Sequence, residues 1–184
     1  MGGRYLALPL AEYAALGGFG ARNQAYLRVA LEVGEAAVRD ALTRAGLTPR
    51  DVGHLLFVTT TGLATPSIDA RLVNRLGLRP SVKRTPIFGL GCLAGAAGLA
   101  RASDTLRAFP EEVAVLLSVE LCSLTLQPDD LSIPNVVATG LFGDGAAAVV
   151  LGGGARPPRA GAPRILATRS GLSVMSIQPW AASV

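Results

Sequence analysis

The stretch that most constrains the fold is Gly89-Leu90-Gly91-Cys92-Leu93-Ala94-Gly95-Ala96-Ala97-Gly98. A short apolar run with charged flanks, Lys83-Arg84-Thr85-Pro86-Ile87-Phe88, leads into it, and an Ala/Gly/Leu stretch of helical character runs on to Arg107. The order predicts a strand, a tight glycine turn, a cysteine and a buried helix. Glycine adopts backbone angles that other residues resist, so the chain can reverse sharply at Gly89 and Gly91. A cysteine at the head of a helix meets unpaired backbone N–H groups and the positive end of the helix dipole, which favour thiolate over thiol. Thiolate is the nucleophilic form, so the placement of Cys92 suits covalent catalysis on a thioester. Free cysteine is also among the most buried residue types, so an inert core cysteine is the competing reading. The strand–Gly–Cys–small-residue-helix arrangement favours the nucleophile.

Composition narrows the setting. The chain has 184 residues, 50% hydrophobic and only 16% charged, enough for one domain with a substantial core. Mean hydropathy is +0.43, high for a soluble protein, yet Gly, Arg and Glu break every apolar run. No stretch reaches the roughly 18 apolar residues of a membrane span. A parallel sheet, apolar on both faces, accounts for the hydropathy, and the surplus points to a buried subunit interface. The net charge of +4 is almost wholly arginine, with Lys83 the only lysine. The arginines are scattered and aromatics make up 5%, which argues against nucleic-acid binding. Arginines near a site mouth suit the phosphates of an anionic carrier such as coenzyme A. Cys92 and Cys122, the two cysteines, have no metal or redox spacing, and nothing resembles a signal peptide. These features predict a cytoplasmic protein with reduced thiols.

Along the chain, periodicity predicts a short helix around residues 11–16 and a longer one from Ala25 to Ala45, stopped by Gly46. A strand over Leu55–Thr59 ends at Thr60-Thr61-Gly62, and a helix over Ser67–Leu76 is closed by Gly77. After the cysteine helix come a strand over Val113–Val119, continued by Glu120-Leu121-Cys122-Ser123, and a polar loop from Gln127 to Asn135. Leu141-Phe142-Gly143-Asp144-Gly145 is a second glycine-rich turn before a strand over Ala146–Leu151. An exposed loop over residues 152–163 and a further strand over residues 165–168 complete the reading. Strands alternating with helices imply an α/β layered fold with a largely parallel sheet.

Five stretches together resemble a known family. They are Thr59-Thr60-Thr61-Gly62; Leu76-Gly77-Leu78-Arg79-Pro80-Ser81-Val82-Lys83-Arg84; Gly91-Cys92-Leu93-Ala94-Gly95; Glu120-Leu121-Cys122-Ser123-Leu124-Thr125; and Leu141-Phe142-Gly143-Asp144-Gly145-Ala146-Ala147-Ala148. Their order and spacing resemble the type III polyketide synthases, the chalcone and stilbene synthase family of the thiolase-like superfamily. The stretches look most like the bacterial branch, which includes the tetrahydroxynaphthalene synthases. The resemblance implies a thiolase-like layered fold, with residues 1–170 as the N-terminal domain lacking its first strand and helix, and residues 171–184 as a divergent tail. It implies an acyltransferase that performs decarboxylative Claisen condensation, with acyl-CoA and malonyl-CoA as substrates and no further cofactor, working as a homodimer.

The resemblance also assigns residues. Cys92 matches the nucleophile that takes the starter acyl group. Phe142 matches the phenylalanine that orients the malonyl thioester. Thr60 and Thr61 match cavity-lining positions after the first strand, and Cys122 and Thr125 match positions that shape the elongation cavity. Thr65 matches a loop position that reaches the partner subunit's cavity. For the four threonines the competing reading is a strand-end hydroxyl satisfying backbone groups.

The family's catalytic set also needs a histidine and an asparagine from its second half, which has no counterpart in this sequence. His54 is the one histidine here. It precedes its strand while Cys92 follows its own, so a parallel sheet puts them at opposite edges, roughly 15–20 Å apart. His54 is expected to be an exposed loop histidine. After Ser170 the resemblance stops abruptly, which suggests a shifted reading frame or an assembly break. Two other readings stand beside the first. One is a different thiolase-like condensing enzyme, of the ketoacyl-carrier-protein synthase III or hydroxymethylglutaryl-CoA synthase type. The other is a non-catalytic orphan half-fold.

Overall fold

The computed structural model describes residues 4–171. The expected divergent tail lies outside them, apart from Gly171. A short helix α1 (Leu10–Tyr13) precedes the long helix α2 (Phe19–Ala45), strand β1 (Val52–Thr59) and helix α3 (Ile68–Leu76). Strand β2 (Lys83–Phe88) leads through a one-turn 3-10 helix (Gly91–Leu93) into α4 (Ala94–Ala108). Strand β3 (Val113–Leu121), a second 3-10 turn (Cys122–Thr125), helix α5 (Ile133–Leu141) and strand β4 (Asp144–Gly152) follow.

The sheet has the order β2-β1-β3-β4, with β1 parallel to both β2 and β3, and β4 antiparallel to β3. Three of the four strands are parallel, as the alternation of strands and helices predicts, and the antiparallel β4 makes the sheet mixed. β1 is flanked on both sides and covered on both faces, so all eight of its residues are buried. Alternation sorts the strand side chains into two layers. Leu55 and Phe57 of β1, with Val115, Leu117 and Val119 of β3, pack against α2 and α3. Leu56 and Val58, with Ala114 and Leu116, pack against α4. Gly98 lets α4 come close: a Cβ there would stand 2.5 Å from Leu116 Cδ1. Among the described residues, no helix is long and apolar enough to cross a membrane.

Several expectations are corrected. α2 begins at Phe19, not Ala25, because Gly18 in extended conformation starts the helix and Gly20 is absorbed within it. The end of the expected polar loop, Gln127 to Asn135, is the start of α5. Ser132 caps that helix, its side chain accepting from the Asn135 N–H, and Pro134 sits in the first turn, where its missing N–H costs nothing. Residues 165–168 form no strand. Cys122 and Ser123 leave the strand and enter a 3-10 turn. His54 lies inside β1 and is only 6% exposed, because that strand starts at Val52. Its position at the opposite edge from Cys92 holds, since His54 pairs with Lys83 at the start of β2 and Cys92 follows Phe88 at its end.

Candidate active site

The C-terminal ends of the three parallel strands open into a cavity of about 630 Å³. In α/β sheets this is the end where side chains from several loops converge, because each strand there hands over to an irregular segment. β1 delivers Thr60 and Thr61, the turn after β2 delivers Cys92, and the end of β3 delivers Ser118, Glu120, Cys122 and Thr125. Phe142 and Asn135 close the cavity from the α5 side.

Cys92 sits one 3-10 turn ahead of α4 and is exposed, so the inert core reading does not hold. Gly89 and Gly91 make the approach possible, with φ of +87° and +53°, angles at which a side chain would be strained. Ala94, Gly98 and Ala102 anchor the inner face of α4 on the sheet, which fixes the helix head that carries the thiol.

Glu120 organises the cavity wall, a role that the resemblance does not assign to it. Its carboxylate accepts from the Thr60 N–H (3.1 Å), the Thr60 hydroxyl (3.1 Å) and the Thr61 hydroxyl (2.7 Å). Thr61 Oγ1 also accepts from the Leu121 N–H at 2.9 Å, so its hydroxyl has one orientation. The two threonines therefore line the cavity and satisfy a strand-end network together. A signal was present: Glu120 is the one charged residue in the apolar run Val113–Leu121. Behind the network, the Tyr26 hydroxyl donates to Thr59 Oγ1 at 2.9 Å, and burial pushes its pKa up to about 12.

The Cys122 thiol is pushed up, first by burial and then by the carboxylates of Glu120 and Asp144. Two thiols thus border one cavity in different surroundings, Cys92 exposed and Cys122 half-buried. The Thr125 hydroxyl donates to the Cys122 carbonyl at 2.9 Å and closes the 3-10 turn. Asp144 clamps that turn to β4: one carboxylate oxygen accepts from the Ser123 N–H at 2.7 Å and the other from the Ser123 hydroxyl. Phe142 terminates α5, its N–H donating to the Ala138 carbonyl at 3.0 Å. The Arg4 guanidinium donates to the Thr139 carbonyl at 2.8 Å and to that of Gly140, satisfying carbonyls the last turn leaves open. Arg4 and Asn135 also line the cavity, and the motifs single out neither.

Of the expected residues, Cys92, Phe142, Thr60, Thr61, Cys122 and Thr125 meet at one cavity. Thr65 does not; it is exposed on the loop between β1 and α3. His54 is absent from this cavity and lines another. No cluster of His, Cys, Asp or Glu among the described residues is arranged to hold a metal ion.

Residues 11–155 match the family described as chalcone and stilbene synthases, N-terminal domain. A 1,3,6,8-tetrahydroxynaphthalene synthase from Streptomyces peucetius subsp. caesius is 56% identical over 170 residues, covering 92% of this chain and 45% of that protein. A phloroglucinol synthase from Pseudomonas fluorescens is 39% identical over 148 residues, covering 80% of this chain and 42% of that protein. The crystal structure of the 1,3,6,8-tetrahydroxynaphthalene synthase from Streptomyces coelicolor, a bacterial type III polyketide synthase, superimposes with a TM-score of 0.78 at 38% identity. That match covers 82% of this chain and 44% of the other. The chain thus spans less than half the length of these relatives. With the ordered motifs, the mixed sheet and the cysteine at the head of α4 in agreement, the chain belongs to the chalcone and stilbene synthase family, the type III polyketide synthases, and carries that family's N-terminal domain.

Proposed function

We propose that Cys92 accepts an acyl group from a coenzyme A thioester, and that the cavity beside it is where malonyl-CoA is decarboxylated and condensed onto that group. The supporting observation is the exposed Cys92 thiol at the head of α4, opening on a cavity of about 630 Å³ shared with Phe142 and the Thr60–Thr61–Glu120 network. In loading, the thiolate attacks the thioester carbonyl and the coenzyme A thiolate leaves. In extension, malonyl-CoA loses CO2 to give an enolate, the enolate attacks the Cys92 thioester, and the cysteine thiolate is expelled.

Phe142, on the cavity wall, orients the malonyl thioester for decarboxylation. Cys122 and Thr125 set the space for the growing chain, and Thr65 reaches a partner subunit's cavity. Residues 1–170 form the catalytic family's N-terminal domain, with 171–184 as a divergent tail, in a cytoplasmic homodimer that uses no further cofactor. The exposed apolar residues Leu131, Ile133, Val136, Val137 and Leu141, on and beside α5, support association. Light scattering at micromolar concentration should give a dimer or larger species, and a clean monomer would count against it.

Condensation needs donors that hold the enolate and the oxyanion. The resemblance assigns them to a histidine and an asparagine that this sequence lacks, and losing one such donor costs about 100- to 1,000-fold. This chain by itself is therefore a loader without turnover. Incubation with acyl-CoA and intact-mass measurement should show slow acylation that Cys92→Ala abolishes. Radiolabelled malonyl-CoA should give no polyketide unless the matching C-terminal half of a relative is added. Robust product from the unassisted chain would overturn this account. Acylation that survives Cys92→Ala would overturn the nucleophile assignment. Turnover of acetoacetyl-CoA in place of malonyl-CoA would point to another thiolase-like condensing enzyme.

A further inference from the structure

At the opposite end of the sheet from Cys92 lies a second cavity of about 170 Å³. Its wall includes His54 near the start of β1, Arg79 and Ser81 in the turn after α3, Lys83 at the start of β2, Thr105 on the last turn of α4, and Phe109 and Glu112 between α4 and β3. Two buried side-chain polar atoms among the described residues have no hydrogen-bond partner, His54 Nδ1 and Arg79 Nε. Both residues line this one cavity. Orphaned buried polar atoms are rare in folded proteins, and two on one cavity point to an occupant that supplies what they lack.

The surroundings define that occupant. Arg79 Nε is a donor only, so its missing partner is an acceptor. The other ring nitrogen of His54 lies 2.8 Å from Thr85 Oγ1; when that hydroxyl donates, Nδ1 carries the proton and is also a donor. Arg79 pairs with Glu112 through a different nitrogen. Lys83 makes no salt bridge among the described residues, and its ammonium lies 3.2 Å from the Phe109 ring centroid. Two full positive charges thus face one full negative charge, Glu112, and the C-terminal end of α4, which carries about half a negative charge. The balance is positive and gains a further charge when His54 is protonated.

We propose that this cavity is a binding site for a small oxyanion of the phosphate or carboxylate class, held by Arg79, His54, Lys83 and the Ser81 hydroxyl. The site is separate from the Cys92 cavity and does not depend on the function proposed for it. Burial, and then the nearby Lys83 ammonium, push the His54 pKa down, so the surroundings oppose a proton on the imidazole. A bound anion reverses that effect, so affinity rises as pH falls through the His54 titration.

Because His54 is the one histidine of the sequence, its ring proton signals in NMR report the site without ambiguity. The full chain should be titrated with inorganic phosphate, sodium acetate and sodium chloride at matched ionic strength. Saturable movement of the His54 signals with phosphate, with an upward shift of its pKa and a raised melting temperature, is the expected result. Saturation by acetate as well would extend the site to carboxylates. Lys83→Gln should weaken phosphate binding by about tenfold, the factor one lost charge-assisted contact carries. Arg44→Gln, which removes the same charge from an exposed position on α2, should leave binding unchanged. Linear drift identical in phosphate and chloride, or equal weakening by both substitutions, would overturn the proposal and leave the cavity to water.

Discussion

The two faces of the sheet are built from the same strands and finished in opposite ways. Toward α2 and α3, β3 presents Val115, Leu117, Val119 and Leu121, all 2% exposed or less, and one continuous apolar core runs the length of the sheet. Toward α4 the same strand presents Ala114, Leu116, Ser118 and Glu120, and the apolar cluster is confined to the middle. β1 repeats the pattern: Leu55 and Phe57 on the first face, His54, Leu56, Val58 and then Thr60 on the second. Both cavities lie at the two ends of the α4 face, with Cys92 at one and His54 at the other. One face thus holds the domain together, and the other is kept polar at its ends, where chemistry and binding need donors and acceptors.

The comparison can be broken at its strongest point first. Leu117→Ala should destabilise the chain by about 2–5 kcal/mol, the range for a fully buried leucine, and Leu106→Ala on the α4 side should fall at the low end of that range. Urea denaturation measures both, and equal losses would mean that α4 carries as much of the stability as α2 and α3. Next, Arg84→Ala removes the 2.8 Å partner of Asp69, a carboxylate with no exposure at the start of α3. Since Arg84 itself is partly solvated, the expected loss is about 1–3 kcal/mol, the cost of leaving a buried acceptor unsatisfied. A neutral result would show that the helix N-terminus and Ser67 suffice for Asp69.

Smaller effects sharpen the α4 face. Iodoacetamide should label Cys92 before Cys122 near neutral pH. Reaction needs the thiolate, and a raised pKa keeps Cys122 protonated until the pH climbs further, so the gap should narrow as pH rises. Faster labelling of Cys122 in the folded chain would contradict the geometry at the cavity. His54, whose pKa is lowered in the folded chain, binds protons more readily when unfolded. Its contribution to stability is therefore present above pH 6.5 and lost as the pH falls through the folded value, and His54→Gln should flatten the melting temperature over that window. Smallest of all, Val149→Ser on the uncovered part of β4 should change stability by no more than about 0.5 kcal/mol.

How much of this was legible follows from range. The cysteine turn could be read because strand, glycines, thiol and small-residue helix are consecutive, and the local chain dictates each. Leu141–Gly145 was legible as a break but not as the five-residue turn expected: Leu141 ends α5, Asp144 and Gly145 already pair with β3, and only Phe142 and Gly143 connect them. α5 was missed although Ser132 and Pro134 mark its start, because the polar residues before it masked a helix that buries nothing among the described residues. The role of Glu120 was half visible, as a lone charge in an apolar strand. Its partners were not, since Thr60 and Thr61 are about sixty positions away in sequence and meet it only across paired strands.

By itself the sequence determined the alternation of strands and helices, the family and the identity of the candidate nucleophile. Each of these rests on residues adjacent in the chain or on motifs in a fixed order. The tertiary structure alone decided which face of β1 and β3 became core and which became cavity wall. It also buried His54 inside a strand flanked on both sides, and set Asp144 as a clamp on Ser123 rather than a group in the cavity. The physical reason is that burial and hydrogen-bond partnership are properties of neighbours in space. An alternating strand carries two faces in one string of letters, and only packing says what covers each.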